Sequence, residues 1–240
     1  MSSFDAGQNL GEIKMNKTIM ALAFVVLCSG FVFAAVNPAV VNEINNSKWT
    51  NTASGTSVVL EGGNVSATDL GVNTSTEKWA GAFGEITGNL ILAQNGDANF
   101  LYNWTLTAPD AGEVCVTTNS GATWTNLAAL TGIGQVDTAY GFTAGDTDSA
   151  TNTMTGSTSF DIGTFVGLTL DSLTDNAGWN TGVVGLNGAG SAVPDDLAFC
   201  VHIDSSGTDY QGDASDYEVM MPANETVSIT ETYYFYAELV

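Results

Sequence analysis

Between Ala35 and Val240 the apolar residues never recur at helical spacing over several turns. Short apolar or alternating runs recur instead, separated by Gly, Asn, Asp, Ser and Thr. A period of two puts successive side chains on opposite faces of a strand, so the chain reads as all-β: an antiparallel β-sandwich, jelly-roll or immunoglobulin-like, with long polar loops. The predicted strands are 56–60, 86–93, 99–106, 112–117, 159–165, 198–203, 217–221, 226–229 and 232–239. Asn95-Gly96 lies between Leu90-Ile91-Leu92 and Phe100-Leu101-Tyr102, which makes these two runs antiparallel neighbours in a hairpin. The last strand alternates Tyr233, Phe235, Ala237 and Leu239 with Tyr234, Tyr236, Glu238 and Val240, so both faces are largely apolar and a central place is expected. Residues 134–158 and 173–194 are rich in Thr, Gly, Asp and Ser and read as long surface loops, with one short helical turn at 126–133.

The N-terminus has a different composition. Met15-Asn16-Lys17-Thr18 precedes an apolar run from Ile19 to Ala35 that ends in small residues at Val32-Phe33-Ala34, the pattern of a secretory signal with cleavage after Ala34. The expected organisation is an upstream start-site extension at 1–14, a signal peptide or uncleaved anchor at 15–34, and a single β-sandwich domain at 35–240. If the run is not cut, residues 18–36 are the chain's membrane contact. A lipoprotein reading centred on Cys28 fails because Val-Val-Leu precedes the cysteine where a small residue is needed.

Charge then narrows function. The 240 residues hold 26 Asp and Glu against 4 lysines and no arginine, a formal charge of -22. Such a surface repels a phosphate backbone, so no nucleic acid is expected as a partner. The missing arginines remove bidentate anion clamps, and a lone His202 removes most triad and zinc chemistry. No Gly-x-Ser-x-Gly nucleophile turn occurs, and no catalytic residue is assigned.

Past the signal only Cys115 and Cys200 remain, and in an exported chain an even pair reads as a disulfide rather than as two buried thiols. Val114-Cys115-Val116 and Phe199-Cys200-Val201 both have the pattern of strand centres. Among five Asn-x-Ser/Thr sites, Asn45, Asn64 and Asn73 are the candidate glycan acceptors, while Asn103 falls inside a predicted strand. The Gly-punctuated acidic segment holding Asp204, Asp209, Asp213 and Asp216 reads either as a solvated loop or as a calcium site, although its spacing fits no EF-hand. No other cofactor is expected. Trp124 and Trp179 lie in polar loops and are candidates for surface binding, whereas Trp79 and Trp104 are expected in the core. Glu113 and Glu85 read as strand-edge residues, and His202 as a half-exposed strand residue sharing a face with Cys200.

The runs Trp79-Ala-Gly-Ala-Phe-Gly-Glu-Ile-Thr-Gly-Asn-Leu-Ile-Leu-Ala, Leu101-Tyr-Asn-Trp104, Gly112-Glu-Val-Cys-Val-Thr-Thr-Asn, Tyr217-Glu-Val-Met-Met-Pro222 and Tyr233-Tyr-Phe-Tyr-Ala-Glu-Leu239 resemble uncharacterised secreted surface proteins of archaea. The resemblance implies an exported β-rich chain and no particular activity. The expectation is a non-catalytic secreted or cell-surface structural protein, an appendage or envelope-layer subunit that self-associates or meets cell-surface partners, with residues 36–44 adding as a strand to a neighbour's sheet. The alternatives are a secreted glycan- or partner-binding module and, third, a secreted hydrolase.

Overall fold

The computed structural model describes residues 35–94, 99–107, 109, 111–190, 192–224 and 230–240. The signal segment, Cys28, the Asn95-Gly96 turn and the predicted strand at 226–229 lie outside them. In chain order the elements are β1 (Asn37–Pro38), β2 (Trp79–Gly84), β3 (Gly88–Leu92), β4 (Tyr102–Leu106), β5 (Gly112–Thr117), β6 (Ala128–Ala129), α1 (Gly134–Tyr140), α2 (Ala150–Thr153), β7 (Gly156–Ile162), β8 (Phe165–Thr174), β9 (Asn180–Gly185), a 3₁₀ turn (Pro194–Asp196), β10 (Leu197–His202), β11 (Tyr217–Pro222) and β12 (Tyr234–Leu239). The fold is all-β and sandwich-like, and every pairing is antiparallel. An eight-stranded sheet runs β1-β12-β5-β10-β9-β8-β7, with β6 also on β9; β2–β11 and β3–β4 form separate two-stranded sheets. Among the described residues no helix is long and apolar enough to cross a membrane.

The strands β5, β10 and β9 are apolar on both faces, and both faces are covered. Val114, Val116, Val183, Phe199 and Val201 join one core with Tyr140, Phe142, Met154, Val219 and Met221, contributed by the helical segment and β11. Cys115, Val184, Ala198 and Cys200 join a second core with Phe160, Ile162 and Leu170 from β7 and β8. The second cover comes from the sheet itself. Only Ser172, Leu173 and Thr174 of β8 pair with β9, and the rest of β8 stays with β7, so the β7–β8 hairpin curls back over the sheet. Gly182 permits this close approach: a Cβ there would stand 2.4 Å from the Phe160 ring.

The predicted disulfide is present. Cys115 and Cys200 are register partners on β5 and β10, 4.1 Å apart at Cα and both buried. That spacing belongs to the closer, non-hydrogen-bonded type of antiparallel pair.

Several segments differ from the sequence reading. Residues 134–158 are not a plain loop: α1 buries Val136 and Tyr140, four residues apart, and α2 brings Ala150 and Met154 inward on the same spacing. Two short turns give too little periodicity to stand out from a Thr- and Gly-rich background. Residues 126–133 carry β6 where a helical turn is expected. Within 173–194 the chain forms β9, a strand inside the large sheet whose Thr-Gly-Val-Val-Gly sequence is masked by its glycines. Small residues similarly hide β2. Residues 56–60 are not a strand and are exposed. The final strand, β12, is flanked along its length by β5 but on its other side only by the two residues of β1, so it lies beside the sheet's edge and not at its centre.

A bond closing a loop of 85 residues removes denatured-state entropy worth on the order of 4 kcal/mol. Replacing both Cys115 and Cys200 with Ala is expected to lower the unfolding free energy by about that amount, seen as a lower urea midpoint with an m-value raised by the more expanded denatured chain. An unchanged midpoint would show that the β5–β10 pairing holds without the covalent link.

Candidate functional site

The register that aligns the two cysteines also aligns three titratable side chains two residues along the strands. Glu238 on β12 pairs with Glu113 on β5, and Glu113 pairs with His202 on β10. By the two-residue alternation these groups share the disulfide's face, the face that the β7–β8 hairpin covers. Both glutamates are buried, and the His202 side chain is half exposed.

Each group reaches the hairpin or a neighbouring strand. His202 Nε2 donates to the Ser159 carbonyl of β7 at 3.1 Å, which fixes the proton on that nitrogen, and Nδ1 stands 3.4 Å from Glu113 Oε1. The Phe160 ring stacks on the imidazole at a centroid distance of 4.4 Å. At the hairpin's two-residue turn the Gly163 N–H donates to Glu238 Oε2 at 2.6 Å, from a glycine at φ 59°, a left-handed conformation that favours Gly. Glu113 holds the His202 pKa above its ordinary 6.5, against an opposing effect of burial. Burial raises the Glu238 carboxyl, aided by the charges of Glu113 and Asp161 and opposed by the Gly163 N–H. A histidine between a carboxylate and a carbonyl has the parts of an acid–base pair, but here its contacts fasten the hairpin to the sheet.

A second constellation surrounds Lys78. This buried ammonium bonds Asp146 Oδ2 at 2.6 Å and Asp148 Oδ1 at 2.9 Å, with the Phe142 ring centroid 5.9 Å away. Thr76 Oγ1 donates to Asp148 Oδ2 at 2.7 Å, and Trp79 Nε1 donates to the Asp148 carbonyl at 2.8 Å. The hydrogen bond from Lys78 and the one from Thr76 hold the Asp148 carboxyl below its ordinary range, while the two aspartates raise the lysine. These contacts pin the start of β2 to the loop ahead of α2, and Thr74, Ser75 and Thr76 line an open depression beside it with Gly145 and Thr147.

The acidic segment is spent mainly on its own backbone. Asp204 Oδ1 accepts from Ser206 N and Oγ, Asp209 Oδ1 from Gln211 N and Asp213 N, and Asp216 Oδ2 from Ile86 N; Asp213 gives its carbonyl to Asp209 N. The bonds of Asp204, Asp209 and Asp213 close turns, and that of Asp216 ties the segment to the residues ahead of β3. Among the described residues no group of three or more His, Cys, Asp or Glu side chains is placed to hold a metal ion. Trp179 is 8% exposed and its Nε1 donates to the Thr208 carbonyl, so it packs in the core. Trp124 is half-buried against Tyr236, 5.3 Å between centroids. Asn45, Asn64 and Asn73 are exposed, and the Asn73 carbonyl accepts from Asn51 Nδ2 at the base of a loop. Trp104, expected in the core, is 51% exposed on β4.

Comparison with models of known protein families, with curated proteins and with solved structures found no match to this chain.

A raised folded-state pKa contributes stability below the unfolded value and loses it as pH climbs through the folded value. For His202 that loss begins above about 6.5, and for Glu238 above about 4.5. Thermal midpoints are therefore expected to fall from mildly acidic to alkaline pH. In His202→Gln the fall between pH 6 and 8 should flatten; profiles that run parallel would show that the His202–Glu113 contact adds no stability.

Proposed function

We propose that this protein is a non-catalytic structural protein of the cell surface or exterior, a subunit that assembles with copies of itself by strand addition. The carrying observation is the unfinished edge of the large sheet. β1 covers only Tyr236 and Ala237 of β12, extended by one further bond from Ala39 N to the Phe235 carbonyl at 2.8 Å. Beyond it residues 39–78 contain no helix or strand and leave Val40, Ile44, Val59, Val65 and Leu70 more than nine-tenths exposed. An arm that starts as an edge strand and continues with uncovered apolar side chains has the form of a segment exchangeable between chains. Within this chain its first residues occupy the β12 edge; in an assembly the same bonds form with the next copy's β12.

An exterior location accords with the signal-like N-terminus and with a disulfide among the described residues. The exposed Asn45, Asn64 and Asn73 are then the glycan acceptors, on the same arm.

The full chain, purified from an oxidising compartment, is expected to form regular filaments or sheets in negative-stain electron micrographs. Deleting residues 36–48 should leave a folded, disulfide-bonded protein that no longer assembles. Filaments persisting in the deletion, or discrete monomers of the full chain at every salt concentration, would overturn this reading.

A further inference from the structure

The β3–β4 hairpin is a two-stranded sheet with one face built for burial that no described residue fully covers. Its register pairs Leu90 with Trp104 and Leu92 with Tyr102 on one face, and Asn89 with Thr105 and Ile91 with Asn103 on the other. One face is thus apolar and the other mostly polar, the alternation of a sheet that packs on a core with one side only. The apolar face is nonetheless open: Leu90, Leu92, Tyr102 and Trp104 are 45%, 50%, 59% and 51% exposed, and Phe100 beside them is 53% exposed. The Tyr102 and Trp104 rings lean together with centroids 4.8 Å apart. At its base the hairpin is fixed to the body, because Ile86 N donates to Asp216 Oδ2 at 2.8 Å and the β12 residue Leu239 packs against Gly88. An isolated two-stranded hairpin is marginal in water, so an ordered one presenting four large apolar side chains needs a third layer.

Charge identifies what that layer is. The chain carries -22, and its copies repel wherever acidic surface meets acidic surface. From Ile86 to Thr107 the sequence holds one charged residue, Asp97, so the exposed apolar face sits on one of the low-charge stretches of an acidic chain. A second copy can approach there with little like-charge cost, and each Leu90–Trp104 and Leu92–Tyr102 pair finds an identical pair on the other side of a two-fold axis. We propose that two copies of the chain pack the apolar faces of their β3–β4 hairpins together, an isologous contact with Leu90, Leu92, Tyr102 and Trp104 at its centre. Asn103, another of the Asn-x-Ser/Thr sites, lies on the opposite face and leaves the contact free of any glycan. Four side chains make a small contact beside the roughly 800 Å² per partner of a stable complex, so the pairing is concentration-dependent and strengthens with salt. It deepens the self-association reading above but is separate from strand addition at β12.

Sedimentation velocity of the full chain over about a hundredfold range of concentration below the onset of filaments, at low and high salt, tests the contact. The weight-average mass is expected to rise toward twice the monomer mass and to do so at lower concentration in high salt. Leu90→Lys and Trp104→Lys should remain monomeric throughout, Ile91→Lys on the polar face should match the parent, and Trp104→Phe should retain pairing. Far-UV circular dichroism and non-reducing gels establish that each variant keeps its fold and disulfide. Monomers at every concentration, or association lost equally in Ile91→Lys, would overturn the proposal. The 36–48 deletion in the same experiment separates the two ideas. If the deletion abolishes filaments while both Lys variants still dimerise, hairpin pairing fails alone; if filaments survive the deletion while the Lys variants turn monomeric, strand addition fails alone.

Discussion

The cross-strand pairing of β5 with β10 is the constraint on which the other layers depend. Cys115 and Cys200 stand opposite each other in it, and on either side Val114 faces Val201 and Val116 faces Phe199. Because these residues alternate between two cores, the pair can exist only if both faces are sealed. One seal is made from β11, α1 and the segment around Phe142 and Met154, the other from the curled β7–β8 hairpin. Burying the sheet's apolar residues from both sides is worth far more than any single polar contact, at roughly 25 cal/mol per Å² of apolar surface. The polar contacts instead decide where each seal sits.

The two sets of ionisable groups have that positioning role. The rung Glu238–Glu113–His202 meets Ser159, Phe160 and Gly163 of the curled hairpin, and Lys78 with Asp146 and Asp148 ties the first strand of the opposite layer to the loop before α2. Both sets combine long sequence separations with at least one deeply buried charge-bearing group. A buried ionisable group is costly unless partnered, so each set favours the one arrangement of layers that supplies its partners. Packing area gives the fold its stability, and these rungs give it its register.

The sequence made the sheet's middle legible and its margins less so. Val-Cys-Val and Phe-Cys-Val have clean alternation around a paired residue type, and β5, β10, β11 and the β3–β4 hairpin follow directly. Glycines and alanines obscured β2 and β9, whose strand character comes from the neighbours they meet and not from their own side chains. Residues 56–60 show the converse: a strand-like pattern that has no edge to join within the chain. Part of the rung around His202 was within reach, because Glu113 precedes Cys115 by two residues and His202 follows Cys200 by two, so a cross-strand disulfide sets them opposite each other. Glu238 was not, since only the register of β12 brings it there. The apolar face carrying Trp104 could not be told from a core face by pattern alone, as both have the same alternation.

The pairing of Lys78 has a consequence for the molecule's behaviour toward ions. Its charge is turned inward between two aspartates, and Lys48, the other lysine among the described residues, is bonded to Glu77. The described surface therefore presents carboxylates with no unneutralised lysine among them, and at neutral pH it is in effect a folded polyanion. Such a body gathers a cloud of mobile cations without needing a ligand cage. Dissolved metal ions and cationic solutes would be enriched against it, and anions such as phosphate would be held away.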